Sequence, residues 1–396
     1  MNSLVFQQVI REAYKQISQE ESNSKKNMQN IFTPYHLCEC IINKLKEFTN
    51  LTNKRILVLN LEFAIVLMEM GISANLIWFW TDCKDKAKVA EKIGVNVMSK
   101  NCFGNKNSKL YSGKKFDVVL MNPPYQAPKD KEHEGRGKCG TSLWEDFSEK
   151  SIEATKEDGY ICAIHPSRWR KPKNKLGEKI KQKQIKYLEI QGVEDGIKTF
   201  GCQSRYDWYI MQNSEAQQNS MTKILDQEEV TIDLCIKNMP FIPNARINEI
   251  MSLVAKDNEK RVNLVHSFSV YETRSEHMSK EQTAEFKYPC VYSIDSKGNP
   301  TFWYSSLKYK EHFVPKVIFP GGAFQSVGVI VDIEGEYGLT QFAKGIIDTK
   351  ENLPLIRDAL LSKKFVGLYK FFSMSTTELD KDVISLFRHD FWREFI

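Results

Sequence analysis

The hydrophobic pattern changes period along the chain. Residues 3–20 carry Leu4, Val5, Val9, Ile10, Ala13, Tyr14 and Ile17 on one stripe, the spacing of an amphipathic helix. The polar stretch 21–30 reads as a loop. A second helix is predicted over 35–48, with Thr33 as N-cap and Pro34 as first helical residue. Short apolar runs at 55–60, 76–80 and 95–98 then predict buried strands. Helices at 63–70 and 84–93 separate them, closing on Gly71 and Gly94. Phe116, Val118, Val119, Leu120 and Met121 form a fourth, nearly continuous apolar strand. Strands alternating with helices predict right-handed crossovers and a parallel sheet. A helix at 143–155, a fifth strand at 160–165 and a turn with the last strands at 199–210 complete this part.

The pattern weakens beyond residue 212. Residues 213–225 read as a linker, blurred by a strand-like run at 230–236. Residues 226–396 form a second domain with short strands at 287–294, 301–305 and 316–319 and a helix at 353–361. The expected organisation is a domain at 1–212, the linker, and a mixed α+β domain after it.

Composition narrows the class only slightly. The chain has 396 residues, 41% hydrophobic and 27% charged, which suits a soluble globular protein with a sizeable core. A net charge of +6 permits a nucleic-acid partner without requiring one. The nine cysteines are scattered and form no CxxC, so neither zinc nor a disulfide framework is expected, and a reducing cytoplasm is. The N-terminal stretch does not read as a signal peptide, and no apolar stretch reaches the roughly 18 residues of a membrane span.

The chemistry concentrates where the fourth strand ends, in Asn122-Pro123-Pro124-Tyr125. Two prolines stop the strand, and Asn122, preceding a proline, is pushed out of the α region. Its carboxamide stands at the carboxyl end of a buried strand, where open α/β sheets place ligands. A carboxamide oxygen and a proline carbonyl can both accept from an exocyclic amine, and Tyr125 offers a face for a planar base. A plain Pro-Pro turn after a core strand is the alternative.

These residues resemble the catalytic motif of S-adenosylmethionine-dependent amino methyltransferases. The order Thr33-Pro34, first strand, Asn122–Tyr125 and long C-terminal half resembles gamma-class DNA adenine-N6 methyltransferases, and Pro320-Gly321-Gly322 through residues 334–340, with Leu360-Leu361-Ser362 and Phe365, resembles the target-recognition half of those from type IIG restriction–modification systems. The resemblance implies an α/β fold: a class I methyltransferase (Rossmann-like) sheet with a C-terminal target-recognition domain. Asn122, Pro123, Pro124 and Tyr125 would be catalytic, and Phe200 would stack on the flipped base opposite Tyr125; Phe200 also reads as an ordinary core aromatic. Cofactor contacts fall on Thr33, Pro34, Asn60, Glu62, Asp82 and Asn101. Asp82 could bridge ribose hydroxyls, cap the next helix, or both. Thr33-Pro34 could equally be a common helix start.

One departure from the family stands out. The turn after the first strand, residues 59–64, has no glycine, although the family's backbone approaches the cofactor there. Either Asn60 and Glu62 take over polar contacts to the methionine end, or cofactor affinity is weakened or lost.

Residues 126–141 form a polar loop with four Lys/Arg, and residues 168–186 hold nine Lys/Arg against one acid. Arg168, Trp169, Arg170 and Lys171 begin the second stretch and are expected at DNA phosphates, a solvated helix face being the alternative. The implied partners are double-stranded DNA and, possible beside it, a separate restriction nuclease, since the stretch before Thr33 is too short for one. A monomer with no metal and no membrane contact, cytoplasmic and nucleoid-associated through DNA, is expected. The rivals are an RNA or protein-glutamine methyltransferase and a catalytically inactive DNA-binding relative.

Overall fold

The computed structural model describes residues 32–81, 83–98, 115–125, 142–266, 269–322, 328–374 and 379–396. The helix expected at 3–20, the loop at 126–141, Asp82 and Asn101 lie outside them. The chain divides into two compact units, residues 1–169 with 173–239, and residues 170–172 with 240–396.

In the first unit helix α1 spans Tyr35–Lys46. Strands β1 (Ile56–Val58), β2 (Ile77–Trp80), β3 (Asn96–Met98), β4 (Phe116–Met121), β5 (Thr155–Pro166), β6 (Lys183–Ile190), β7 (Tyr206–Glu215), β8 (Thr222–Leu225) and β9 (Thr231–Leu234) build one sheet. Their spatial order is β3-β2-β1-β4-β5-β7-β6-β8-β9. The strands from β3 to β5 pair in parallel, and β7 runs antiparallel between β5 and β6. This sheet, with its reversed seventh strand, is the class I methyltransferase fold. Helices α2 (Leu61–Glu69), α3 (Lys84–Lys92), α4 (Trp144–Ala154), α5 (Lys175–Lys181) and α6 (Val193–Phe200) join the strands. The expected alternation is thereby found. Eight consecutive residues of α2, from Leu61 to Met68, are buried, so it is a core helix rather than an amphipathic one.

Two expectations require correction. Thr33 does not cap α1: Pro34 holds the cap position and its carbonyl accepts from Leu37 and Cys38. The segment 213–225 is not a linker. It closes β7 and forms β8, which pairs in parallel with β6. Its polar residues mislead because Asn213 is not merely solvated: its amide donates to the carbonyl of Ile152 in the last turn of α4 and to that of Thr155 at the start of β5. The unit break falls after Met239 instead.

Among the described residues the second unit has two four-stranded sheets. One orders β10 (Asn263–Val265), β17 (Ala343–Ile347), β14 (Lys316–Pro320) and β15 (Ile330–Asp332). The other orders β11 (Met278–Ser279), β13 (Pro300–Ser305), β12 (Tyr288–Ile294) and β16 (Gly338–Leu339). Helices α7 (Leu353–Leu361) and α8 (Lys363–Phe372) supply much of an aromatic core with Phe387, Phe391 and Phe395. Lys316 is fully buried, and its ammonium is satisfied by Asp332 Oδ2 at 2.6 Å and the carbonyls of Tyr337 and Val314. A buried cation so completely bonded is tolerable, and losing Asp332 would leave it costly.

Candidate active site

β1 and β4 are adjacent parallel strands, so the turns that leave them stand side by side. Their carboxyl ends are tied by one side chain. Asn60 Oδ1 accepts from the Asn122 backbone N–H at 2.7 Å, and Asn60 Nδ2 donates to the Asn122 carbonyl at 3.0 Å. Asn60 thus grips the Asn122 peptide from both sides, much as another strand would. Asn122 is 3% exposed. Its Nδ2 donates to Thr33 Oγ1 at 3.1 Å, while its Oδ1 is buried with no hydrogen-bond partner among the described residues. An unsatisfied buried acceptor costs about 1–3 kcal/mol, so this oxygen is poised for a donor.

Thr33 is itself fully buried, and its N–H donates to Glu62 Oε1 at 3.0 Å. Glu62 lies on the first turn of α2 and is 2% exposed. Its negative charge adds to burial in pushing the Cys38 thiol well up. Of the residues expected to touch a cofactor, Thr33, Asn60 and Glu62 therefore converge on one network, and Pro34 heads α1 beside them. That network ends on Asn122. Sequence reasoning missed the bracing role, whose faint signal is a polar residue closing an apolar strand.

Tyr125 is held through its carbonyl, which accepts from Leu143 N at 3.2 Å. Its hydroxyl is buried without a hydrogen-bond partner among the described residues, and burial drives its pKa far up, with Cys202, Tyr206 and Asp207 adding to it. Phe200 ends α6 and is half-buried, its ring edge-on to Tyr206 at 4.9 Å. Tyr206 therefore borders Phe200 and acts on Tyr125. Tyr206 and Asp207 were not anticipated; a carboxylate in the otherwise apolar run of β7 is the sign of a buried polar role.

His165, near the end of β5, is completely buried and edge-on to Tyr209. Ser148 Oγ donates to the Trp144 carbonyl, so the 2.9 Å contact between Ser148 Oγ and His165 Nε2 places the ring proton on Nε2. Burial pushes its pKa down to about 3.

The basic stretch does not present itself as expected. Trp169 is buried and its indole donates to Asp207 Oδ2 at 2.9 Å. Arg170 is 1% exposed, and its guanidinium donates to the Ile242 carbonyl at 2.6 Å and Asn244 Oδ1 at 2.8 Å. Lys171 pairs with Asp380 at 2.7 Å. Trp169 and Arg170 are thus interior groups rather than phosphate contacts, because each finds a buried acceptor that charge counting cannot foresee. Lys179, Lys181 and Lys183 pair with Glu149, Glu178 and Glu215. Arg168, Lys173 and Lys175 remain exposed. Among the described residues no group of His, Cys, Asp and Glu could hold a metal ion, and no helix is long and apolar enough to cross a membrane.

The strand order, with β7 reversed between β5 and β6, is that of the class I methyltransferase fold, and the Asn122 turn stands at the carboxyl end of its β4. Residues 79–200, which include the Asn122 turn, match the family model described as Eco57I restriction-modification methylase. No curated protein matches the chain. Among solved structures, the type IIG restriction endonuclease BpuSI is 11% identical, with 93% of this chain and 61% of that one covered at a TM-score of 0.44. The M protein of the type I restriction enzyme EcoKI is 12% identical, covering 51% and 49% at 0.36. A class I S-adenosylmethionine-dependent methyltransferase from Listeria monocytogenes, itself a tentative assignment, is 14% identical, covering 50% and 65% at 0.37. The chain spans less than two thirds of the length of each of these proteins.

Proposed function

We propose that this protein transfers a methyl group to the exocyclic N6 amine of an adenine flipped out of double-stranded DNA. The observation that carries this reading is the Asn122 carboxamide, whose donor end is engaged by Thr33 and whose acceptor end is buried and open. Such an oxygen accepts one N–H of an amine, and the Pro123 carbonyl accepts the other. The amine nitrogen is then turned so that its lone pair leaves conjugation with the ring and faces the methyl donor. Tyr125 and Phe200 supply the aromatic faces for the base. Position and orientation carry much of the rate.

S-adenosylmethionine supplies the electrophilic methyl group when bound. The residues present fit it in one respect: Glu62 is a buried carboxylate beside the Asn122 network, favourable for a cationic donor. Pro34, Asp82 and Asn101 complete the proposed cofactor contacts. Thr33 and Asn60 meet the cofactor only with what their bonds to Asn122 leave over. Residues 240–396 act as the target-recognition domain, and Arg168 with its exposed lysine neighbours meets phosphates. The protein works as a cytoplasmic monomer, with any nuclease a separate partner.

Calorimetry with S-adenosylmethionine, followed by tritiated-methyl transfer to genomic DNA and to tRNA, tests the proposal. Cofactor binding with label on DNA is expected. Label on tRNA alone would refute the DNA assignment, and folded protein that binds no cofactor would identify an inactive relative.

A further inference from the structure

We propose that Thr33 is the positioning residue that decides which end of the Asn122 carboxamide meets the substrate amine. The inference rests on the methyltransferase reading above. A primary amide has a donor end and an acceptor end of nearly the same shape. Only the acceptor end can receive an amine N–H; the flipped amide would set N–H against N–H. The site works only if the protein holds one of the two orientations.

The Asn60 brace cannot do this, because it grips the Asn122 peptide and leaves the side-chain torsions free. Thr33 Oγ1 does reach the side chain, accepting from Asn122 Nδ2 at 3.1 Å. Among the described residues no other side chain bonds that carboxamide. Thr33 is 0% exposed, and its own backbone is pinned by Glu62 Oε1 at 3.0 Å. Its hydroxyl is available because Pro34, not Thr33, occupies the cap of α1. The glycine-free turn therefore serves the acceptor site twice, through Asn60 on the backbone of Asn122 and through Glu62 on Thr33. Without the Thr33 oxygen, Nδ2 would be left buried and unpaired, and no described side chain would hold the amide in one orientation over the other.

Thr33→Val keeps the shape and removes the acceptor, whereas Thr33→Ser keeps the acceptor. With tritiated S-adenosylmethionine and unmethylated genomic DNA, Thr33→Val is expected to lower kcat roughly ten- to hundredfold, the loss of one buried hydrogen bond. Cofactor affinity by calorimetry should stay within about twofold, and Thr33→Ser should restore kcat. Wild-type kcat in Thr33→Val would overturn the inference, as would a weakened cofactor Kd with kcat intact at saturation, which would make Thr33 a wall of the cofactor site. Should Thr33→Val not fold, Thr33→Ala against Thr33→Ser gives the same contrast. A second readout does not depend on activity: the Asn122 side-chain NH2 signals in a 15N spectrum, assigned with Asn122→Asp. Two well-separated, slowly exchanging proton lines are expected in the wild type and a free-amide pattern in Thr33→Val. Identical signals would sink the inference even if the wild type transferred no methyl group.

Discussion

The turn after β1 and the turn after β4 leave adjacent parallel strands, yet they are built on opposite plans. The β4 turn presents a carboxamide oxygen that has no hydrogen-bond partner among the described residues. In the β1 turn the polar groups are spent: Asn60 on the Asn122 peptide and Glu62 on the Thr33 N–H. The family match begins at residue 79 and so includes the β4 turn while leaving the β1 turn outside. The difference teaches that polar residues around a site divide into open groups and braces, and that residue type does not say which is which. The basic stretch divides in the same way, with Arg168 exposed and Arg170 buried two residues on.

The sharpest test of the open group is its removal. Asn122→Ala should lower kcat on the order of a thousandfold, as the loss of a preorganised polar contact does, with cofactor and DNA affinity retained. Near-normal turnover would erase the distinction between the two turns. Arg170→Ala tests a brace. It strips charged hydrogen bonds from the Ile242 carbonyl and Asn244 Oδ1, and urea unfolding should show a loss of about 3 kcal/mol. A stable variant with weakened DNA binding would return Arg170 to the phosphate contacts. Asn60→Ala removes both bonds to the Asn122 peptide and should lower stability by about 2 kcal/mol, and kcat with it. A change in cofactor affinity alone would mean that Asn60 is a ligand rather than a brace.

The smallest effect concerns His165. Its pKa lies near 3 in the fold against an ordinary 6.5, so the unfolded chain binds the extra proton first. Its contribution is level above pH 6.5, and stability is lost as pH falls from there toward 3. The slope is at most about 1.4 kcal/mol per pH unit. Urea unfolding of the wild type and His165→Gln at pH 7.5 and 5.5 measures it; the gap between them should narrow at the lower pH. A gap that is constant with pH would show that His165 is not held neutral.

The sequence carries most of the first unit in its apolar runs. β1 and β2 are continuous hydrophobic segments and β4 is broken only by Asp117, because both faces of the sheet are covered there. The strands beyond residue 212 are harder to see, since Asn213, a residue of linker-like composition, is there to satisfy the carbonyls of Ile152 in α4 and Thr155 in β5. At the site, Asn122 and Tyr125 were legible because prolines fix the turn around them. The roles of Asn60, Thr33 and Trp169 were not, because each depends on a partner 38 or more residues away, brought close only by the folded sheet.

The central claim is that the Asn122 turn presents an exocyclic amine to a methyl donor. It is tested most directly by mass spectrometry of nucleosides from unmethylated genomic DNA incubated with the protein and deuterated-methyl S-adenosylmethionine. The account predicts the labelled methyl group on N6 of adenine. Label on a ring carbon, or none from protein that binds the cofactor, would contradict it.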